Sequence, residues 1–268
     1  MKLYRPRLSI LNGIAALGGY MLFPGEKSVA AACALFAGVS LLAAAGSVFN
    51  QVMERDIDAL MRRTQDRPLP AGELSVLAAV VIGLLCALDG GLLLLAGGKF
   101  LPMLIGLLAL AWYLAVYTPM KRRSPFALLL GAVSGAAPPV IGWSMASGNP
   151  LDFRILLLAA VLYLWQVPHF WLLQRRHADD YRRAGIPLFR PSGNETGQML
   201  ICMVWITAML ASAMMLPAFG IVGGNPAIWC AIFCIPLVVT AIKATEPALF
   251  TCVNLFPLFV TVAVCAGR

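Results

Sequence analysis

Charge is what this sequence has least of. Asp, Glu, Lys and Arg together account for 12% of its 268 residues, and only 2 histidines are present. A water-soluble chain ordinarily carries about a quarter of its residues as charged ones, so a soluble globular domain is excluded. No two of the 7 cysteines have C-x-x-C spacing, which removes the usual zinc and dithiol readings. Cys33, Cys86, Cys202, Cys230, Cys234, Cys252 and Cys265 all fall in apolar runs and are expected to be small core residues. Linkers rich in Ser, Gly or Pro, low-complexity tracts and internal repeats are also missing, so residues 1–268 are expected to form one domain.

What is there is hydrophobic: 60% of the residues, with a mean hydropathy of +0.84. Crossing a hydrocarbon core of about 30 Å takes roughly 20 apolar residues, and such runs recur along the chain. Nine can be drawn, at about 8–23, 29–53, 75–97, 101–118, 125–147, 154–174, 197–219, 226–243 and 248–266. They predict an all-α, polytopic membrane bundle of nine transmembrane helices. No A-x-A pattern closes the first run, which reads as a membrane helix rather than a removable leader.

Nine spans put alternate loops on the same side. One side then gathers sixteen basic residues, from Lys2, Arg5 and Arg7 through Arg62, Arg63 and Arg67 to Arg190 and Lys243; the other holds only Lys27, Lys99, Arg154 and Arg268. Cytoplasmic loops carry the excess of Lys and Arg, so the first side, with the N-terminus, is cytoplasmic. The same bias accounts for the net charge of +8 without nucleic acid. Most of the charge sits in the cytoplasmic stretches 54–74, 117–125 and 174–197, where the chemistry is expected.

In the first stretch no helix breaker intervenes between Asn50 and Pro68. A continuing helix would line up Asn50, Glu54 and Asp58 on one face over roughly 12 Å, with Asp56 pointing elsewhere. Three oxygen donors at a membrane boundary suit magnesium shared with a phosphorylated substrate; an ordinary solvated helix end paired with Arg55 and Arg62 is the plain alternative. Next come Arg63 and Arg67, able to grip a diphosphate bidentately, and the stiff Pro68/Pro70 pair. In the second stretch, Lys121, Arg122 and Arg123 serve equally as phosphate binders or as topological anchors. The third begins inside the sixth run, where Trp165, Gln166 and His169 are intramembrane polar or amphipathic candidates. If that helix runs on past Pro168, then His169, Arg176 and Asp180 share a face, since eleven residues return to within about 20°. Asp180 is therefore favoured over Asp179. A histidine that merely packs between helices is the alternative for His169.

These clusters, in this order, resemble the UbiA superfamily of membrane prenyltransferases, and within it the heme farnesyltransferases. The likeness is carried by Asn50-x-x-x-Glu54-Arg55-Asp56-Ile57-Asp58 with Arg63-Thr64-x-x-Arg67-Pro68-Leu69, by Tyr117-Thr118-Pro119-Met120-Lys121-Arg122, by Gly131-x-x-x-Gly135 with Pro138-Pro139, and by Trp165-Gln166-x-Pro168-His169-Phe170 leading to Asp180-Tyr181. It spans about residues 45–198. Glu54 stands where many members carry aspartate, and the superfamily's second acidic motif is reduced to Asp179 and Asp180.

The resemblance implies a nine-helix fold in a bacterial inner membrane, farnesyl diphosphate as donor, heme b as acceptor and heme O as product. It implies Mg2+ held by Asn50, Glu54 and Asp58, with Arg63, Arg67, Lys121 and Arg122 on the diphosphate and Asp180 completing the catalytic set. Gln166, His169 and Trp165 fall to the heme, through a propionate or the iron. A heme A synthase or a terminal oxidase would receive the product. Two other readings are a sister enzyme acting on an aromatic acceptor, and a transporter or heme-handling scaffold, for which the lone Asp89 in the third run is the best argument.

Overall fold

A computed structural model describes residues 3–97, 100–189, 195–225, 228–229, 232, 235–239 and 246–266. Among these every regular element is helical. In chain order they are α1 (Pro6–Leu22), α2 (Val29–Met53), α3 (Arg55–Leu60), α4 (Val76–Ala96), α5 (Phe100–Met120), α6 (Ala127–Met145), α7 (Phe153–Arg176), α8 (Ala178–Arg183), α9 (Glu195–Ala218) and α10 (Glu246–Ala266).

Seven of them are long and apolar enough to cross a membrane: α2, α4, α5, α6, α7, α9 and α10. The first expected span is the 17-residue α1, a little short of that length. The eighth, near 226–243, lies largely outside the described residues, as do Cys230 and Cys234. Of the other five cysteines only Cys202 is buried, and Cys33 is exposed, so the expectation of seven core cysteines is corrected. In a membrane the outer face is itself apolar, and a thiol can face lipid as readily as core.

Local signals set the helix starts. Ser28 Oγ accepts from the Ala31 amide at 3.3 Å, Ser75 Oγ from Ala78 at 3.1 Å, and the Asp152 carboxylate from Arg154 at 2.9 Å. Two packed clusters flank the interior. One, with Trp143, Ile155, Val161, Ile206, Met209 and Val253, joins α6, α7, α9 and α10. The other, with Ala16, Tyr20, Leu35, Leu42, Leu94 and Ile141, joins α1, α2, α4 and α6.

The crossing of α1 and α6 is a backbone contact. A Cβ built on Gly142 would stand 1.8 Å from the Ala16 carbonyl oxygen, and one on Gly19 would stand 1.9 Å from that of Pro139. Only glycine permits that approach. α5 carries a π-helical turn at Tyr113–Tyr117, in which the Thr118 amide bonds back to the Tyr113 carbonyl. Pro119 follows two residues on, where an unbroken α-helix would drive the proline ring into the preceding turn.

Candidate active site

α1, α2, α5, α6, α7 and α10 surround a cavity of about 500 Å³. Its polar rim is built first by α2. Although α2 ends at Met53, the Glu54 amide bonds to the Asn50 carbonyl at 2.9 Å, and the Asp58 amide to that of Glu54 at 2.8 Å. The helical ladder thus passes through the junction with α3 and stacks Asn50, Glu54 and Asp58, all at most 2% exposed. Carboxylates buried so deeply require cations. Lys121 Nζ donates to both Glu54 oxygens, at 2.9 and 3.1 Å, and Arg67 Nη1 donates to Asp58 Oδ2 at 2.5 Å. Burial and the neighbouring Arg5 pull the Arg67 pKa down to about 10, against the attraction of Asp58, so at neutral pH it remains a cation. Asn50 makes a long bond to Thr118 Oγ1, at 3.5 Å.

Asn50, Arg63 and Lys121 line the cavity itself, with Tyr113 and Tyr117 from the π turn beside them. Arg122 does not join them. It chelates the Asp56 carboxylate at 2.7 and 2.8 Å and the Met53 carbonyl at 2.7 Å, in a shallow outer groove. That hydrogen bond lowers the Asp56 pKa and raises that of Arg122.

The expectation of one long helix through His169, Arg176 and Asp180 is corrected. α7 stays helical past Pro168 but ends at His177, whose backbone (φ −117, ψ 29) breaks the run before α8. Asp180 is nonetheless brought to the rim by α8. Its carboxylate accepts the Arg62 and Arg63 amides at 3.1 and 3.2 Å and the Arg183 guanidinium at 2.6 Å. Burial pushes its pKa up, but the two amides and Arg183 outweigh that and hold it below the ordinary carboxylate value. Ile57, Met61, Tyr181 and Ile186 pack beneath, fixing α3 against α8. Asp179, by contrast, is exposed and pairs with Arg182.

Deeper in, the wall is aromatic with a few polar atoms. The His169 ring stacks on Trp165 at 5.0 Å and faces Phe250 at 6.1 Å, with Asn254 in hydrogen-bonding contact. His169 Nδ1 is buried and has no partner among the described residues. Gln166 donates to the Ala132 carbonyl at 3.1 Å and fills the space left by Gly135, where a Cβ would fall within 2.2 Å of its amide. Trp165 Nε1 is tied to the Val253 carbonyl at 2.5 Å.

Arg5 enters the site although in the sequence it counted only among the basic residues. It lines the cavity, makes no ion pair among the described residues, and is held at φ 44, ψ 62, a left-handed conformation uncommon for arginine. Asn12 and Asn254 likewise face the cavity. A basic residue just before a helix-opening proline was the available signal for Arg5; nothing local distinguished the two asparagines.

A membrane bundle whose interior runs from buried carboxylates and cations through an apolar body to an aromatic wall is built for a long apolar substrate with an anionic head. Comparison with known proteins gives this class its name. The model of the UbiA prenyltransferase family matches residues 12–263. A protoheme IX farnesyltransferase of Geobacter sulfurreducens is 53% identical over 261 residues, covering 97% of this chain and 96% of that protein. Another protoheme IX farnesyltransferase, of Oleidesulfovibrio alaskensis, is 40% identical, covering 81% and 76%. Among solved structures, a UbiA homologue from Aeropyrum pernix K1 superposes with a TM-score of 0.80 at 22% identity, over 98% of this chain and 97% of that one. A homologue from Archaeoglobus fulgidus bound to DMAPP and Mg2+ gives 0.70 at 14%, over 100% and 99%. The chain belongs to the UbiA prenyltransferase family.

Proposed function

We propose that this chain transfers the farnesyl group of farnesyl diphosphate to a vinyl group of heme b, giving heme O. The observation that carries the reading is the polarity gradient of the cavity, from Arg63 and Lys121 at the rim to Trp165 and His169 within. The reading is supported by the protoheme IX farnesyltransferases that resemble the chain over nearly its whole length.

The carbon–oxygen bond at C1 of the farnesyl group breaks, and the diphosphate leaves with the bonding pair. Arg63, Arg67 and Lys121 meet the charge that develops there. The vinyl carbon attacks the allylic cation, water adds to the cation left on the heme substituent, and a proton departs, leaving a hydroxyethylfarnesyl group. Trp165, Gln166 and His169 line the cavity and offer the acceptor an aromatic face and polar atoms for its periphery or iron, with the His169 ring held in place by stacking on Trp165 and facing Phe250.

Asn50, Glu54 and Asp58 offer two carboxylates and an amide on successive turns, a hard-oxygen set that fits Mg2+. When bound, magnesium supplies charge neutralisation to the leaving diphosphate. Asp180 acts one step back, holding the Arg62–Arg63 backbone so that Arg63 faces the cavity. We place the basic rim and the N-terminus on the cytoplasmic side of a bacterial inner membrane, a reading that the excess of Lys and Arg on that side supports. A heme A synthase or a terminal oxidase takes the product.

The test is turnover by the purified protein in lipid with heme b, farnesyl diphosphate and magnesium, with hemes read by chromatography and mass. Heme O from the wild type and none from Asp58→Ala is the expected result. No heme O from folded wild-type protein would sink the proposal and turn attention to aromatic acceptors.

A further inference from the structure

Asp89 lies within an apolar span and takes no part in the site described above. It is the fourteenth of the 21 residues of α4, so the nearer helix end at Ala96 is about 10 Å away, beyond the reach of a short carboxyl side chain. The side chain is exposed, on a surface that hydrocarbon covers, and has no hydrogen bond or ion pair among the described residues. α4 cannot rotate it inward. A neighbouring side of the helix, with Ala79, Gly83, Gly90 and Leu94, is buried, and at Gly90 an added Cβ would stand 2.9 Å from the Gly38 carbonyl of α2. A polar group presented to lipid at this depth calls for a protein partner.

The sequence around it indicates which partner. Ala78, Ile82, Leu85, Asp89, Leu92 and Ala96 recur at spacings of four and three, all of them half-buried or exposed, along one strip of α4, of which Ile82 also packs against the cluster that includes Val48 of α2. That is the heptad seam of a two-stranded parallel coiled coil, with one polar residue at a central position that fixes register. Across a two-fold axis each seam residue meets its own copy. Two carboxyl groups sharing one proton form an O–H···O− hydrogen bond, so each Asp89 satisfies the other with no cation. We propose that two copies of this chain associate through α4, Asp89 against Asp89.

The test is energy transfer between donor- and acceptor-labelled copies of the full chain in phosphatidylethanolamine–phosphatidylglycerol vesicles, at falling protein-to-lipid ratio. The wild type is expected to dimerise, Asp89→Ala to weaken association roughly tenfold, and Asp89→Asn, which still pairs through its amide, to stay close to wild type. In a background without the native cysteines, copper-phenanthroline should cross-link Leu85→Cys, on the seam, and leave off-seam Leu84→Cys monomeric. A wild type that stays monomeric at every density, association unchanged by Asp89→Ala, or equal cross-linking at both positions would each overturn the proposal.

Discussion

Replacing Asp180 by alanine should loosen the basic loop without touching the cavity wall. Among the described residues this carboxylate is what anchors the Arg62 and Arg63 amides, which it accepts at 3.1 and 3.2 Å. Hydrogen bonds to a charged group contribute about 1.5–3 kcal/mol each. The third bond, from Arg183, adds little, because that guanidinium is 41% exposed and screened by water. Once freed, the two amides recover part of their loss by hydration, which leaves about 2–3 kcal/mol, or roughly 30- to 150-fold in the population of the ordered loop. The KM for farnesyl diphosphate should rise by up to that factor, with the KM for heme b unchanged. Hydrogen exchange should quicken at the amides of Arg62 and Arg63. The sign of the pH dependence follows from the lowered pKa: the contribution is complete above the ordinary carboxylate value of 3.8 and disappears as the pH falls through the lower folded value. At neutral pH the wild-type loop should therefore be insensitive to pH through this group. A folded Asp180→Ala protein with unchanged exchange and unchanged KM would refute the reasoning.

Asp58→Ala should lower kcat by at least two orders of magnitude in a heme O assay, because it removes an oxygen donor and leaves Arg67 buried without its partner. Arg5→Ala should raise the KM for farnesyl diphosphate about tenfold, with the thermal midpoint unchanged or higher, since it removes a charge-assisted contact and relieves a left-handed residue. His169→Ala should raise the KM for heme b and spare that for farnesyl diphosphate; unchanged affinity for heme would remove His169 from the acceptor site. Gly142→Ala should cost about 1–3 kcal/mol or more, read as a fall in the thermal midpoint in detergent, because the obstructing Ala16 oxygen belongs to a backbone that cannot move aside.

The membrane bundle was legible because hydropathy is an additive property: twenty apolar residues in a row have one destination whatever their neighbours. The row Asn50, Glu54, Asp58 was legible for a similar reason, since helical spacing alone aligns it. What the sequence could not convey was who neutralises whom. Lys121 and Arg122 are adjacent and chemically alike, yet one turns to buried Glu54 and the other to exposed Asp56. Adjacent helical residues point about 100° apart, and the π turn upstream shifts the phase of both, a feature with no periodicity to read. The break at His177 was missed because nothing between Arg176 and Ala178 forbids a helix; the tertiary packing of Tyr181 and Ile186 against Ile57 ends it. Arg5 was missed because a basic residue before a helix-opening proline is a weak signal, and what sets Arg5 apart is its left-handed backbone.

The two buried ion pairs have a consequence for the order in which substrates and ions gather. Glu54 and Asp58 are already compensated by Lys121 and Arg67, so a divalent cation arriving alone finds donors in competition, and a diphosphate arriving alone finds cations in the same condition. On the proposed function, arrival of both would let the four side chains exchange partners, the Lys121 amine and Arg67 guanidinium turning to the anion and the Glu54 and Asp58 carboxylates to the cation. Each newcomer thus removes the obstacle to the other. Their affinities are thermodynamically linked, and by reciprocity each should strengthen the other by the same factor. On that reading the closed pairs are a latch that only the two together would open.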